Sequence, residues 1–219
     1  MSTWQAEKKA VLAAVREIHE KGLVVGNNGN ISQRLPSEGG RELMAITPSA
    51  QEYDRLGEDD IQIIDFDAMP VEGNLPASTE TRLHIAIYRA RQNTGAVIHT
   101  HSVFASAIAV AGLDIPAVLE DQVVFLGGEI RLARHAPGGS RELAENVLAA
   151  LGDRNAALLS NHGVVSAGRT LREAITAAEL TEKTAKIYWL ALSIGKANPL
   201  PPDVLEAGKA LFKKLQGSP

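Results

Sequence analysis

Ala96-Val97-Ile98-His99-Thr100-His101-Ser102 is the stretch around which the rest of the chain is organised. Its apolar first half predicts a buried β-strand. Alternate residues of a strand point to the same face of a sheet, so the side chains of His99 and His101 are expected to lie side by side. Two imidazoles at that spacing can bind one metal ion, although histidines also settle in cores by donating to backbone carbonyls. The pair is therefore a candidate metal site that the rest of the chain must support.

The composition describes an ordinary globular chain. It has 219 residues, of which 45% are hydrophobic and 22% charged, so we expect residues 1–219 to form a single domain. The net charge of -4 and the lack of a Lys/Arg run make nucleic acid an unexpected partner. No apolar run is long enough to span a bilayer and no signal peptide is visible, so we expect a cytoplasmic protein without a membrane partner.

The absence of cysteine narrows the chemistry that a metal site can have. Disulfides and thiolate ligands are excluded, since the sequence contains no cysteine. A metal would be held by His, Asp, Glu or water. This ligand set favours zinc or a neighbouring transition metal over an iron–sulfur centre.

The hydrophobic pattern predicts helices between and after strands. Helices are expected at 3–21, with Ser2 and Gln5 as a capping box, and at 79–92, 102–111, 140–151, 170–194 and about 203–215, the last after a Pro-rich break. Besides the strand before His101, strands are expected at 31–35, 42–47, 61–66, 123–126, 130–133, 156–159 and 164–165. Hairpins rather than strict strand–helix alternation predict a mostly antiparallel sheet covered by helices.

Three further residues can join the histidine pair. His162 follows an apolar strand and precedes Gly163, which would free the backbone to turn; a turn histidine bonded to its own backbone is the alternative. Glu80 opens a predicted helix, where a carboxylate usually complements the helix dipole but can also be a metal ligand or general base. His84, one helical turn later, can pair with Glu80, orient a ligand, or be structural.

Three segments carry groups that can bind an anion. Residues 27–30 supply backbone N–H groups and amide donors in a glycine-containing turn, and Thr47-Pro48-Ser49 supplies hydroxyls at a strand end. Ser78-Thr79 supplies hydroxyls at a helix N-terminus, a natural phosphate site. Neither a nucleotide P-loop nor a G-x-G-x-x-G motif after a strand is present, so nucleotide binding is disfavoured. Taken singly, each segment is also explained by capping and turn chemistry.

Together these pieces resemble the class II (zinc-dependent) sugar-phosphate aldolase and adducin-head family, with L-fuculose-1-phosphate aldolase-like members as the most similar branch. The matching motifs follow the family's order over nearly the whole chain: Gly29-Asn30-Ile31-Ser32, Thr47-Pro48-Ser49, Pro76-Ala77-Ser78-Thr79-Glu80, His99-Thr100-His101-Ser102 and Asn161-His162-Gly163. The resemblance implies a single α/β/α domain around a mixed, mainly antiparallel sheet. It also implies a homo-oligomer, usually a tetramer with active sites between subunits.

The resemblance further implies a site and a reaction. A Zn²⁺ ion, with Mn²⁺ or Co²⁺ as alternatives, would be bound by His99, His101 and His162, with Glu80 as a resting-state ligand or as the base. The substrate's phosphate would be bound by Asn27, Asn30, Ser49, Ala50, Ser78 and Thr79. The reaction implied is cleavage of a ketose 1-phosphate, such as fuculose 1-phosphate, to dihydroxyacetone phosphate and an aldehyde through a zinc-stabilised enediolate.

Two departures from the family pattern leave alternatives open. Ser49 is followed by Ala50 where the family usually has glycine, and the segment 118–122 lacks the tyrosine that protonates the aldehyde oxygen in fuculose-phosphate aldolases. Glu120 or Asp121 are candidate replacements. The alternatives are a methylthioribulose-1-phosphate dehydratase, a sugar-acid-phosphate decarboxylase or a 4-epimerase, although epimerases tend to carry Asp in place of Glu80. A non-catalytic adducin-like assembly module is disfavoured, because a scaffold does not need a full ligand set.

Overall fold

The computed structural model describes residues 3–217, within which the strands form one mixed sheet. The strands are β1 (Asn30–Glu38), β2 (Arg41–Ile46), β3 (Gln62–Asp65), β4 (Pro70–Glu72), β5 (Ala96–Thr100), β6 (Arg131–Ala133), β7 (Ala156–Leu159) and β8 (Gly163–Gly168). Their order is β4-β3-β2-β1-β5-β8-β7-β6. The pairing of β6 with β7 is parallel and the other pairings are antiparallel. The predicted mainly antiparallel sheet is therefore confirmed.

Helices cover both faces of this sheet. They are α1 (Gln5–Glu20), α2 (Thr81–Ala90), α3 (Val103–Val110), α4 (Glu120–Leu126), α5 (Arg141–Leu151), α6 (Leu171–Ile194) and α7 (Pro202–Leu215). Helices α1 and α6 share one apolar core with the sheet, and α2 and α5 share another on the opposite face. The predicted α/β/α architecture is confirmed. Ser2, predicted to cap α1, lies outside the described residues.

Strand β5 lies in the interior of the sheet and sets the direction of the histidines. Ala96 and Ile98 pack into the core under α1 and α6, whereas Val97 packs into the core under α2 and α5. His99 follows Val97 by two residues and therefore faces α2. Its backbone pairs with Asn30 on one side and Val165 on the other. Because β5 is buried throughout, a slip of one residue would turn its apolar side chains to the wrong cores.

The strand predicted at 123–126 is wrong, since these residues belong to helix α4. The run Val123-Val124-Phe125 has high strand propensity, but tertiary contacts override it. The Gln122 side-chain oxygen accepts the backbone N–H groups of Val118 (2.9 Å) and Leu119 (3.3 Å) at the start of the helix. Gly127, with φ of 91°, ends the helix.

Strand β4 was not predicted, because it is a three-residue strand at the edge of the sheet and begins with Pro70.

Candidate metal and anion site

Three imidazoles converge at the end of β5. His99 Nε2 lies 2.8 Å from His101 Nε2. The ring centroids of His99, His101 and His162 lie 4.8 to 5.0 Å from one another. The nitrogens nearest one another all fall within 4.8 Å. His99 is buried, while His101 and His162 are partly open to a cavity. The sequence placed the first two residues on one face, and the fold brings His162 to them from the β7–β8 turn.

The backbone fixes which nitrogen of His99 faces the cluster. Its Nδ1 lies 3.0 Å from the carbonyl oxygen of Val164, so Nδ1 carries the proton and donates it. Its Nε2 then points toward His101 Nε2 and lies 3.0 Å from Glu80 Oε2. The lone pair of His99 Nε2 thus faces the Glu80 carboxylate, and a proton or a cation between them would offset their repulsion. Three nitrogens and a carboxylate are a suitable donor set for a divalent transition metal.

Glu80 is the acidic member of the cluster. It precedes α2 and is buried. Its Oε1 lies 3.5 Å from His162 Nε2, and this oxygen, unlike Oε2, has no hydrogen-bond partner among the described residues. Burial raises the pKa of this carboxyl, but the neighbouring His99 and His162 imidazoles and the Asn30 amide outweigh it and lower the pKa to about 2. Glu80 is consequently ionised at neutral pH, in the form that can bind a metal or accept a proton.

The cavity-facing histidines are uncharged at neutral pH. Burial, followed by the neighbouring His99 and His162 rings, lowers the pKa of His101 to about 4. Burial and His99 also lower the pKa of His162. Neutral imidazole is the form that coordinates metals, so both rings are ready to act as ligands.

Close backbone contacts position the segments that carry the histidines. A side chain on Gly163 would lie 2.4 Å from the Thr100 carbonyl and 3.0 Å from His101 Cδ2, so glycine lets β8 approach β5. The predicted turn role of Gly163 is corrected, because the left-handed residue there is Asn161, with φ of 55°. At the start of α3, which follows His101 in the chain, the Glu182 carboxylate accepts the backbone N–H groups of Phe104 and Ala105 at 2.9 Å each.

An open cavity of about 430 Å³ adjoins the imidazoles. Its lining brings together the three histidines, Glu80 and all six residues predicted to bind the phosphate: Asn27, Asn30, Ser49, Ala50, Ser78 and Thr79. Backbone hydrogen bonds from Ser49 N to Pro76 O (2.8 Å) and from Ser78 N to Thr47 O (3.1 Å) hold two of the three segments together. The third is held by the Tyr53 hydroxyl, which donates to the Gly29 carbonyl. The hydroxyls of Ser49, Ser78 and Thr79 thus share one concave surface.

Two predicted phosphate ligands have unexpected surroundings. Asn30 is buried, and its amide contacts Glu80 and His84 instead of standing free in the cavity. Ala50 has φ of 58°, the left-handed conformation that favours glycine, so the turn keeps its shape with a methyl group added. We therefore expect the phosphate to be held by the other predicted residues and the backbone of the Ala50 turn.

The sequence interpretation missed one wall of the cavity. Gly138, in the turn Pro137-Gly138-Gly139-Ser140, joins the lining. A side chain there would lie 3.8 Å from Glu80 Oε1, and one on Gly139 would lie 2.6 Å from the Thr79 carbonyl. The paired glycines in this turn were the available signal, since close backbone approach is a common reason for glycine.

Glu120 and Asp121 lie in α4 and are not among the residues that line this cavity. Asp121 pairs with Lys183 of α6 at 2.5 Å and also accepts the N–H of Gln122. Within one chain the fold therefore does not bring the two carboxylates to the imidazoles.

Across the described residues, no helix combines the length and apolar character needed to cross a membrane.

The geometry defines a candidate metal centre beside a cavity lined by hydroxyl and amide side chains, and comparison with known proteins gives the family. Residues 9–189 match the family model for the Class II Aldolase and Adducin N-terminal domain. The chain belongs to this family and is an enzyme of the class II aldolase type. Members of the family depend on a metal, in agreement with the histidine cluster.

Individual relatives extend over almost the whole chain. A 5-deoxy-D-ribulose 1-phosphate aldolase of Bacillus thuringiensis serovar kurstaki is 35% identical, covering 97% of each chain. A 5-methylthioribulose-1-phosphate/5-deoxyribulose-1-phosphate aldolase of Rhodospirillum rubrum is 36% identical over 95% of this chain and 91% of its own. A solved L-fuculose 1-phosphate aldolase superposes with a TM-score of 0.89 and 32% identity, covering 97% of this chain and 98% of the other.

Proposed function

We propose that the protein is a metal-dependent aldehyde-lyase that cleaves a ketose 1-phosphate to dihydroxyacetone phosphate and an aldehyde. One observation carries the proposal: three imidazoles and an ionised, buried carboxylate converge at the wall of a cavity. The same cavity is lined by several groups that can donate hydrogen bonds to an anion. The names of the relatives support a sugar 1-phosphate as the substrate class.

The metal would be held by His99, His101 and His162, with Glu80 close enough to act as a fourth ligand before substrate binds. We propose Zn²⁺, with Mn²⁺ or Co²⁺ as substitutes, because imidazole suits all of these ions. The cation would act as a Lewis acid toward the substrate's oxygen atoms and stabilise negative charge there. No Schiff-base lysine is then required.

Glu80 is proposed as the proton carrier. Cleavage of the C3–C4 bond requires the C4 hydroxyl to lose a proton and carbon C3 to gain one. A single carboxylate that accepts the first proton and returns one to C3 balances the reaction. Glu80 is suited to this task because it is ionised and has one oxygen, Oε1, without a hydrogen-bond donor among the described residues.

The phosphate would be held at the far side of the cavity and fix the substrate's orientation at a point remote from the bond that breaks. We assign this role to Asn27, Ser49, the backbone of Ala50, Ser78 and Thr79. Ser78 Oγ accepts the N–H of Glu80 at 3.2 Å and keeps its own proton available for donation. The segment 78–80 therefore carries both the proposed phosphate contacts and the proposed base.

The relatives' substrates suggest which ketose phosphates to test. We expect cleavage of 5-deoxyribulose 1-phosphate, methylthioribulose 1-phosphate or fuculose 1-phosphate by zinc-loaded protein, measured as dihydroxyacetone phosphate in a coupled reductase assay. Rhamnulose 1-phosphate serves as a stereochemical comparison. Loss of water without carbon–carbon cleavage would instead support the dehydratase alternative. Failure to bind zinc, manganese or cobalt, together with no turnover, would leave the assembly-module alternative.

We further propose a homotetramer in which a neighbouring subunit completes the site, with Glu120 or Asp121 as candidates to relay the proton from the C4 oxygen, which becomes the aldehyde oxygen, to Glu80. These carboxylates lie away from the cavity of their own chain, so they can serve only across an interface. Sedimentation velocity tests the assembly. Mixing inactive His101→Ala with inactive Asp121→Asn protein tests the sharing, since exchanged tetramers would regain activity. The cytoplasmic location stays a prediction of the sequence.

A further inference from the structure

A line of buried polar side chains leads from Glu80 away from the cavity. Asn30 Nδ2 lies 3.3 Å from Glu80 Oε2, and Asn30 Oδ1 lies 2.5 Å from His84 Nε2. His84 Nδ1 in turn lies 2.7 Å from Ser32 Oγ, which lies 2.8 Å from the hydroxyl of Tyr88. All five residues are buried, so none of these contacts is shared with bulk solvent.

These residues come from two elements whose geometry suits the arrangement. Asn30 and Ser32 are two residues apart on β1 and share a face, while His84 and Tyr88 are four apart on α2 and share a helical face. The polar line therefore joins the strand that flanks β5 to the helix that Glu80 precedes. Buried polar groups are costly unless each is satisfied, and here every member of the line has its partner.

The carboxylate at one end fixes the direction of every hydrogen bond. Ionised Glu80 only accepts, so Asn30 must present its NH₂ group to Glu80 and its oxygen to His84. His84 Nε2 must then carry the proton, which leaves Nδ1 to accept from the Ser32 hydroxyl. Ser32 accepts in turn from Tyr88. His84 is uncharged in this arrangement, and its complete burial lowers its pKa to about 3.

We propose that His84, Ser32 and Tyr88 are positioning residues that lock the Asn30 amide in the orientation that donates to Glu80. A flipped amide would set its oxygen against the carboxylate, so acceptor would face acceptor. The line is not a proton path, because the Asn30 amide between His84 and Glu80 does not take up and release protons near neutral pH. This inference rests on the proposed role of Glu80 and extends it to residues that touch neither substrate nor metal.

The tautomer of His84 tests the arrangement without any assay of activity. Nitrogen-15 spectra of the zinc-loaded, histidine-labelled protein should show one ring protonated at Nε2 only, unchanged between pH 6 and 8. The signal is assigned by its loss in His84→Gln. A His84 protonated at Nδ1, or at both nitrogens, would overturn the proposal whatever reaction the protein catalyses.

Substitutions then test the positioning role. His84→Leu keeps the bulk but removes the donor to Asn30, and we expect kcat to fall by about 10- to 100-fold with little change in KM. His84→Gln restores an N–H donor and should recover most of the loss. Equal losses in both variants would contradict the proposal. If His84→Leu fails to fold, Tyr88→Phe, which removes a single oxygen, replaces it, and an unchanged kcat there would count against the proposal.

A matched pair of serines controls for the loss of a buried hydroxyl. Ser32→Ala breaks the line and should lower kcat several-fold. Ser166→Ala removes an equally buried strand hydroxyl that has no hydrogen-bond partner among the described residues, and should leave kcat unchanged. Equal effects of the two changes would show that Ser32 acts only through packing.

A double-mutant cycle separates the positioning role from the proposed function. Because the line acts through Glu80, His84→Leu should cause no further loss of kcat in a Glu80→Gln background. Additive losses would overturn the positioning role. A Glu80→Gln variant with a normal rate would instead refute the proposed proton carrier, while the tautomer experiment would still report on the line itself.

Discussion

Glu80 lies between two halves of the site, the cavity half and the interior half, which differ in how their polar groups are satisfied. Toward the cavity, its oxygens lie 3.5 Å from His162 Nε2 and 3.0 Å from His99 Nε2, which is an acceptor because Nδ1 of that ring carries the proton. Toward the interior, the line from Asn30 to Tyr88 pairs each acceptor with one donor. The cavity half thus places an ionised carboxylate against an acceptor nitrogen and suits a cation, whereas the interior half is balanced by the protein alone.

The difference predicts where substitutions act. Changes in the cavity half should alter metal binding and chemistry with little effect on folding. Changes in the interior half should alter the geometry of Glu80 and the response of stability to pH. Four variants test this contrast, and they are ordered by the size of the expected effect.

The largest effect is expected for His101→Ala. Removing one imidazole should abolish stoichiometric metal binding and lower turnover on the order of a thousandfold, because Lewis-acid stabilisation is worth several kcal/mol. Metal analysis after dialysis and the dihydroxyacetone phosphate assay measure both. His19→Ala, on α1 and away from the cluster, is the control. Unchanged metal content and rate in His101→Ala would remove His101 from the proposed site.

Glu80→Gln should separate metal binding from catalysis. The amide keeps the size of the side chain but cannot carry the proton, so we expect turnover to fall by about 10²- to 10³-fold. Metal content should remain high, because three imidazoles are retained. Isothermal titration with Co²⁺ measures the affinity, and single-turnover kinetics measure the chemical step. A near-normal rate would show that another group carries the proton.

His84→Gln should change the pH dependence of stability. Folded His84 stays uncharged down to about pH 3, whereas in the unfolded chain it is protonated near pH 6.5. Between these values the unfolded state binds more protons, so stability is fully present above pH 6.5 and is lost as pH falls, by up to about 1.4 kcal/mol per pH unit. The variant lacks this contribution and should lose about 2 kcal/mol less between pH 6.5 and 5.

Urea unfolding of the metal-free proteins at several pH values measures this difference. Above pH 6.5 the slopes of wild type and variant should coincide, since His84 is uncharged in both the folded and the unfolded state there. Equal slopes below pH 6.5 would mean that His84 is protonated in the folded protein as well, which the interior half of the site does not allow.

The smallest effect is expected at the rim of the cavity. Ala50 and Ala68 both have left-handed backbone, with φ of 58° and 62°, but of the two only Ala50 lines the cavity. Changing either to glycine should relieve strain and leave stability the same or higher by up to about 1 kcal/mol. Ala50→Gly alone should change KM for the sugar phosphate, downward if the methyl group crowds the phosphate. Equal KM values for both variants would place the phosphate elsewhere.

Local sequence patterns predicted the elements well where two signals agreed. The apolar run ending in His99 and His101 has the period of a strand. The helix predicted at 170–194 is observed as α6, and the Thr170 side chain caps it by accepting the N–H of Glu173. At 123–126 the signals conflicted. Branched residues favoured a strand, whereas Gln122 caps the start of a short helix and Gly127 ends it. Contacts with the distant helix α7 favour the helix.

Asn30 shows the same contrast between local pattern and long-range contact. Its motif predicted a position near the substrate, and the residue does line the cavity. Its amide, however, is bound by Glu80 and His84, residues 50 and 54 positions away in the chain. No local pattern reports a hydrogen bond over such a separation, so the residue's partners were beyond sequence reasoning.

The sequence by itself determined the candidate groups: two histidines on one face of a strand, a third after a strand, a carboxylate before a helix and three segments with hydrogen-bond donors for an anion. It could do so because strand period, helix caps and motif order are properties of neighbouring residues. Only the tertiary structure decided how these groups meet. The pairing of β5 with β1 and β8 places Asn30 and the β7–β8 turn beside His99, and the packing of α2 on β1 buries the line behind Glu80. Such long-range contacts depend on how whole elements pack, which no single stretch of the chain records.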